Sequence, residues 1–273
     1  MLKSPWWIGH IPFAFELVGR LRPTTIVELG TYSGSSFAAF CQAVAACGSN
    51  TKCFGIDLWE GDMHMGKFDE TLFLEISTYM SSNYPNIATL IRADFNTAAK
   101  SFEDHTIDLL HIDGTHTFEA VSNDFNNWLQ KLSDRAVVLF HDTNVNVENT
   151  GPSSLPFGVR KFFDSVKPNY PHLEFLHCWG LGMLVVGKNV PGPVMELVAL
   201  ANAAEFTEYF AAKGKQVSKS FEEMHPELPK QNAYDRSDET EMRKDNEFRP
   251  PEPPPPAWRR AINKFNRMVG RAH

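Results

Sequence analysis

The sequence contains no apolar run approaching the ~18 uninterrupted residues that a membrane-spanning helix needs. No secretory leader is expected. Met1-Leu2-Lys3-Ser4-Pro5-Trp6-Trp7 has no charged start followed by an apolar stretch and a small-residue cleavage site. Positive charge is scarce: 26 Lys and Arg stand against 33 Asp and Glu, for a formal net charge of −7. That balance argues against a broad electrostatic grip on nucleic acid. Cysteine is sparse too. Cys41, Cys47, Cys53 and Cys178 fit neither zinc-ligand spacing nor a C-x-x-C redox pair, and four thiols in a chain of 273 residues make no disulfide framework. The expected setting is therefore the cytoplasm, with reduced thiols filling core space. No internal repeat is present.

What is present is a rhythm. Apolar runs rich in β-branched residues occur at Thr25–Leu29, Cys53–Leu58, Ala88–Ile91, Ile107–Ile112 and Ala136–Phe140. Helical patterns lie between them around Ser35–Ala46, Asp69–Asn83 and Thr117–Lys131. Strand and helix alternating in this way predict an α/β fold with a parallel sheet covered on both faces. Two further runs, Leu173–Cys178 and Leu181–Gly187, are separated only by Trp179-Gly180. A link that short predicts an antiparallel hairpin at the sheet edge, because a parallel crossover needs a dozen residues or more. A helix rich in Ala, Glu and Phe is expected over roughly Pro193–Lys213, closing a first unit of residues 1–213. Residues 214–256 are charged, poor in aromatics and end in Pro250-Pro251-Glu252-Pro253-Pro254-Pro255-Pro256, the composition of a disordered linker. Residues 257–273 place Trp258, Ile262, Phe265 and Val269 at helical spacing among five basic residues and no acid. Such a basic amphipathic helix can lie on the inner face of a membrane, dock on a protein, or pack on its own domain.

Candidate chemistry collects at the predicted strand ends. Ile26-Val27-Glu28-Leu29-Gly30-Thr31-Tyr32-Ser33-Gly34-Ser35 runs from a strand through a glycine turn into a helix. The helix start offers unpaired N–H groups to a carboxylate or phosphate. Glu28 adds a negative charge better suited to an ammonium or sulfonium than to a pyrophosphate. Tyr32, where a dinucleotide turn has its second glycine, points the same way. Gly30, Tyr32, Ser33 and Gly34 are thus candidate cofactor contacts. Asp57 ends the second strand, where a ribose diol finds an acceptor. Asp94 follows the third and either meets an adenine amino group or caps the next helix. The fourth strand ends at Asp113-Gly114-Thr115-His116 and the fifth at His141-Asp142. Those side chains can bind a divalent cation, supply a general base, or pair with one another. His111 points into the sheet and reads as structural.

Together these residues resemble the class I S-adenosylmethionine-dependent methyltransferases. The likeness is to the branch carrying I-D-G-x-H-x-Y/F-E-x-V-x-x-D, here Ile112 to Asp124, followed by a strand ending in His141-Asp142. It spans roughly residues 24–188. The resemblance implies a doubly wound, seven-stranded, mostly parallel sheet with an antiparallel C-terminal hairpin. It implies S-adenosylmethionine as cofactor, held at its methionine end by Glu28, Gly30 and Gly34, at the ribose by Asp57 and near the adenine by Asp94. It further implies magnesium or another divalent cation on Asp113, His141 and Asp142, with His116 as base and Asp113 in the catalytic set. Relatives methylate hydroxyls of sugars and antibiotic scaffolds and accompany polysaccharide biosynthesis. The expected partners are then a small-molecule or glycan acceptor and a second copy of the chain. Two rival readings are a nucleotide-cofactor enzyme on a similar sheet and a non-catalytic docking module of a polysaccharide-assembly complex.

Overall fold

The computed structural model describes residues 4–62, 66–145, 157–201 and 203–228. The elements, in chain order, begin with α1 (Ile11–Leu21), β1 (Thr25–Leu29), α2 (Ser35–Cys47) and β2 (Lys52–Asp57). A two-stranded ribbon follows, β3 (Gly61–Asp62) with β4 (Gly66–Lys67), then α3 (Glu70–Asn83), β5 (Ala88–Arg92) and α4 (Phe95–Ala99). The chain continues through β6 (Ile107–Ile112), α5 (Phe118–Trp128), β7 (Leu132–His141) and α6 (Val159–Val166). It closes with β8 (His172–Phe175), β9 (Leu181–Val185), α7 (Gly192–Leu200) and α8 (Ala204–Met224).

Seven of these strands form one sheet in the order β5-β2-β1-β6-β7-β9-β8. Every pairing is parallel up to β7, and β9 runs antiparallel to both β7 and β8. Strand order reverses between β1 and β6, the switch point beside which open α/β sheets bind ligands. The apolar run Val137-Val138-Leu139-Phe140 has a simple cause. Alternate side chains of a strand face opposite ways, so Val137 and Leu139 enter the core under α1 and α2 while Val138 and Phe140 enter the core under α5 and α6.

Two expectations change. The C-terminal helix is two: α7 ends at Leu200, and α8 runs to Met224, past the expected end at Lys213. Phe206, Phe210 and Gly214 are buried on α8, where Gly214 packs against the backbone of Gly9. Packing thus keeps residues 214–224 helical although their composition resembles a linker. The hairpin loop has five residues, 176–180, because Cys178, Trp179 and Gly180 all take left-handed backbone. The N-terminal segment is also ordered: a 3-10 turn, Ile8–His10, leads into α1. Linker residues 229–256 and the basic segment 257–273 lie outside the described residues. No helix among the described residues is long and apolar enough to cross a membrane.

Candidate active site

A cavity of about 710 Å³ opens at the carboxyl edge of the parallel strands. The glycine turn forms one side. Gly30 takes φ +88° and Gly34, the N-cap of α2, φ +81°. Gly30 N–H donates to the Ile56 carbonyl (2.9 Å) and Asp113 N–H to the Leu29 carbonyl (2.8 Å), tying β1 to β2 and β6 just where the turn starts. Asp57 fixes the turn from the next strand. One carboxylate oxygen accepts from Tyr32 N–H and the other from Trp59 N–H, each at 2.8 Å, and Trp59 Nε1 donates to the Tyr32 carbonyl at 2.8 Å. Asp94 does two jobs: it caps α4 by accepting from Thr97 N–H at 2.9 Å, and it lines the cavity. The hydrogen bonds from Thr97 hold its carboxyl below the usual range. Tyr32, Ser33 and Gly30 also line the cavity; Glu28 and Gly34 do not.

Across the cavity the ends of β6 and β7 bring four titratable groups together. His116 Nε2 lies 2.9 Å from Asp142 Oδ2 and 3.8 Å from Asp113 Oδ1. His141 Nδ1 lies 3.2 Å from Asp113 Oδ1 and 3.4 Å from Asp142 Oδ1. Burial disfavours charge on both rings, yet the two carboxylates outweigh it. They raise His116 to about 10 and His141 to about 9. Burial also pushes Asp113 up, but the imidazoles of His141 and His116 carry it well below its ordinary value. The near-neutral titration usual for histidine therefore does not apply to His116 in this arrangement. The cluster balances its own charge.

Backbone strain marks this corner. Asp142 has φ +61°, and the loop 176–180 carries three successive left-handed residues. Such conformations are costly and concentrate at functional sites. The result is that the Cys178 carbonyl accepts from His141 Nε2 at 3.0 Å and from His10 Nε2 at 3.2 Å. With Nε2–H committed to a carbonyl, neutral His141 would present its Nδ1 lone pair to two carboxylate oxygens. Donor atoms of Asp113, His141 and Asp142 lie within 4.8 Å of one another. Two carboxylates plus an imidazole held by a backbone carbonyl fit a divalent cation of the manganese or magnesium kind.

Several lining residues escaped the sequence reading: Trp6, Trp7, Asn96, Asp124, Phe157 and Trp179. Asp124 was within reach, since it closes the same motif as Asp113 and His116. Burial raises its carboxyl to about 6, against the opposing hydrogen bond from Asn123. The others carry no signal in sequence, because loop aromatics become site residues only through the fold.

Counted in its own strands, the sheet runs 3-2-1-4-5-7-6, a fold it shares with solved methyltransferases. Residues 27–143 match the family described as a methyltransferase domain. The S-adenosylhomocysteine-bound methyltransferase PaMTH1 of Podospora anserina is similar in fold at a TM-score of 0.50 and 15% identity, over 64% of this chain and 77% of that one. An uncharacterized protein, y4gI, of Sinorhizobium fredii (strain NBRC 101917 / NGR234) is 40% identical over 213 residues. Those residues are 77% of this chain but 23% of the relative, so the chain spans under a quarter of that protein's length.

Proposed function

We propose that this protein transfers the methyl group of S-adenosylmethionine to a hydroxyl oxygen, with a sugar hydroxyl of a glycan or glycosylated metabolite as acceptor. One observation carries the reading: the Asp57-braced glycine turn and the His116–Asp142 pair line the same cavity. The first suits a nucleoside with a charged amino-acid end, and the second suits an acceptor that must lose a proton. Trp6, Tyr32, Phe157 and Trp179 add aromatic faces to the lining, and such faces pack against the apolar C–H face of a sugar ring.

In this account Tyr32 and Ser33 bind the methionine end, Asp57 takes the ribose hydroxyls, and Asp94 lies at the adenine. Most of the acceleration comes from holding sulfonium, methyl and hydroxyl in line, which contributes about 7–11 kcal/mol. His116, once it has released the proton that Asp113 and Asp142 favour on it, receives the hydroxyl proton, and Asp142, at 2.9 Å, orients the ring and balances the charge it regains. A divalent cation held by Asp113, His141 and Asp142 would take over the charge balance that the imidazolium groups now supply and would orient and acidify the acceptor oxygen. A place in polysaccharide biosynthesis fits this acceptor class.

The test is incubation with methyl-labelled S-adenosylmethionine, manganese or magnesium, and a panel of glycosides. The expected product carries label in an ether that survives mild base. Label found only on nitrogen or in a base-labile ester would overturn the hydroxyl assignment.

A further inference from the structure

Glu28, the acid at the head of the glycine turn, has no exposed surface and does not line the cavity. In the strand register it sits between Gly55 of β2 and His111 of β6. Its Oε2 lies 2.9 Å from His111 Nδ1, and on the far side of that ring Trp7 Nε1 lies 3.2 Å from Nε2. An indole N–H only donates. Nε2 of His111 is therefore the acceptor, and the ring's proton sits on Nδ1, donated to Glu28. The chain has one direction, from Trp7 through His111 to Glu28.

Its outer end is a wall of the cavity. Trp7 is 3% exposed, packs edge-on against His10, Phe40 and His111, and lines the cavity with Ser4 and Trp6. Two more ties hold the segment: Ser35 Oγ donates to the Ser4 carbonyl at 2.9 Å, and Trp6 stacks on Tyr32. Ser4, Trp6 and Trp7 all precede the segment 27–143 that matches the family.

We propose that Glu28 and His111 are positioning residues that anchor Trp7, and with it the wall of residues 4–7, against the cofactor cavity, and that Glu28 is not a charged ligand of the cofactor. The proposal rests on the reading of the cavity as an S-adenosylmethionine site. Burial pushes the Glu28 carboxyl up while the His111 hydrogen bond pulls it down, so the position calls for an acceptor more than for a charge. The rival use is also visible. Among the described residues Oε1 has no partner in hydrogen-bond geometry, the Ser36 hydroxyl being the neighbouring group that also pulls the carboxyl down, and it would have to attract the cofactor's ammonium by charge.

Glu28→Gln separates the two, because an amide oxygen still accepts from His111 but bears no charge. The experiment titrates the full chain with S-adenosylhomocysteine by calorimetry and follows the six tryptophan indole N–H signals by nuclear magnetic resonance, the Trp7 signal being assigned with Trp7→Phe. Expected are Glu28→Gln within about threefold of wild type and Glu28→Ala at least about tenfold weaker. The Trp7 indole signal is expected to be slow to exchange in wild type and Glu28→Gln and lost or shifted in Glu28→Ala. A loss of about tenfold or more in Glu28→Gln with the Trp7 signal unmoved would overturn the proposal. If Glu28→Ala does not fold, Glu28→Gln and the wild-type Trp7 signal decide alone. A Trp7 indole that exchanges freely in wild type also sinks the anchor. Failure of the wild type itself to bind counts against the cofactor reading, and the Trp7 signal then still tests the anchor.

Discussion

Gly30→Ala perturbs the juxtaposition on which the cavity depends. Gly30 has φ +88° and stands where the end of β6 crosses behind the turn. A Cβ built there would lie well under 3.0 Å from the Asp113 carbonyl oxygen, a separation that real Cβ atoms essentially never show. Two costs add. Left-handed backbone costs an L-residue roughly 1–2 kcal/mol. Overpacking adds about 1–3 kcal/mol, since the obstacle is backbone and has no rotamer to move to. Gly48 supplies the control: its φ is +59°, but nothing lies within 4 Å of an added Cβ. Gly48→Ala should therefore lose only the first amount and Gly30→Ala roughly 2–5 kcal/mol. In thermal denaturation the two variants should differ by about 2–12 °C, at about 2–4 °C per kcal/mol for a domain of this size. S-adenosylhomocysteine affinity should fall in Gly30→Ala and hold in Gly48→Ala. Equal melting temperatures would refute the reasoning, because they would mean that β1 and β6 do not meet as described.

Three other outcomes follow from the same geometry. His116→Ala should leave S-adenosylhomocysteine affinity intact while turnover on a glycoside acceptor drops ~100-fold or more; unchanged turnover removes His116 from the mechanism. Burial lowers His177 to about 4 against an opposing hydrogen bond from its side chain to the Gly9 carbonyl. A depressed histidine means that the unfolded chain binds the proton first. His177 should thus contribute stability above pH ~6.5 that is lost as pH falls toward 4, at most about 3 kcal/mol; urea titrations in which His177→Phe shows the same acid slope as wild type would contradict this. Asp124 titrates in the other direction, since its raised carboxyl makes the folded state less stable as pH rises from about 4 through 6. Asp124→Asn should raise the melting temperature at pH 8 and change it little below pH ~4, and a variant with no gain at pH 8 would contradict the burial argument.

The central strands were readable because they are buried on both faces: β1 and β6 have the expected bounds, Thr25–Leu29 and Ile107–Ile112. The site acids were readable because a parallel sheet delivers its strand ends to one edge. Asp57, Asp94, Asp113, His116, His141 and Asp142 all line one cavity. Charge states were not readable. They depend on separations near 3 Å between His116, His141 and two carboxylates, and sequence spacing does not give these. α1 escaped for a different reason: Pro12, Phe13, Ala14, Phe15, Leu17 and Val18 are all buried, so its period is blurred by packing against α2 on one side and α8 on the other. The extension of α8 to Met224 is likewise tertiary. Alternating charges read as linker until Gly214 is seen packed against the backbone of Gly9.

The most direct measurement is a calorimetric titration of the intact chain with S-adenosylhomocysteine, beside an identical one with NAD. Saturable one-to-one heat with the first, abolished by Asp57→Ala, and none with the second is the predicted result. Binding of NAD, or silence toward both in a folded protein, would show that the acids and the glycine bend at this sheet edge were never shaped around a sulfonium nucleoside.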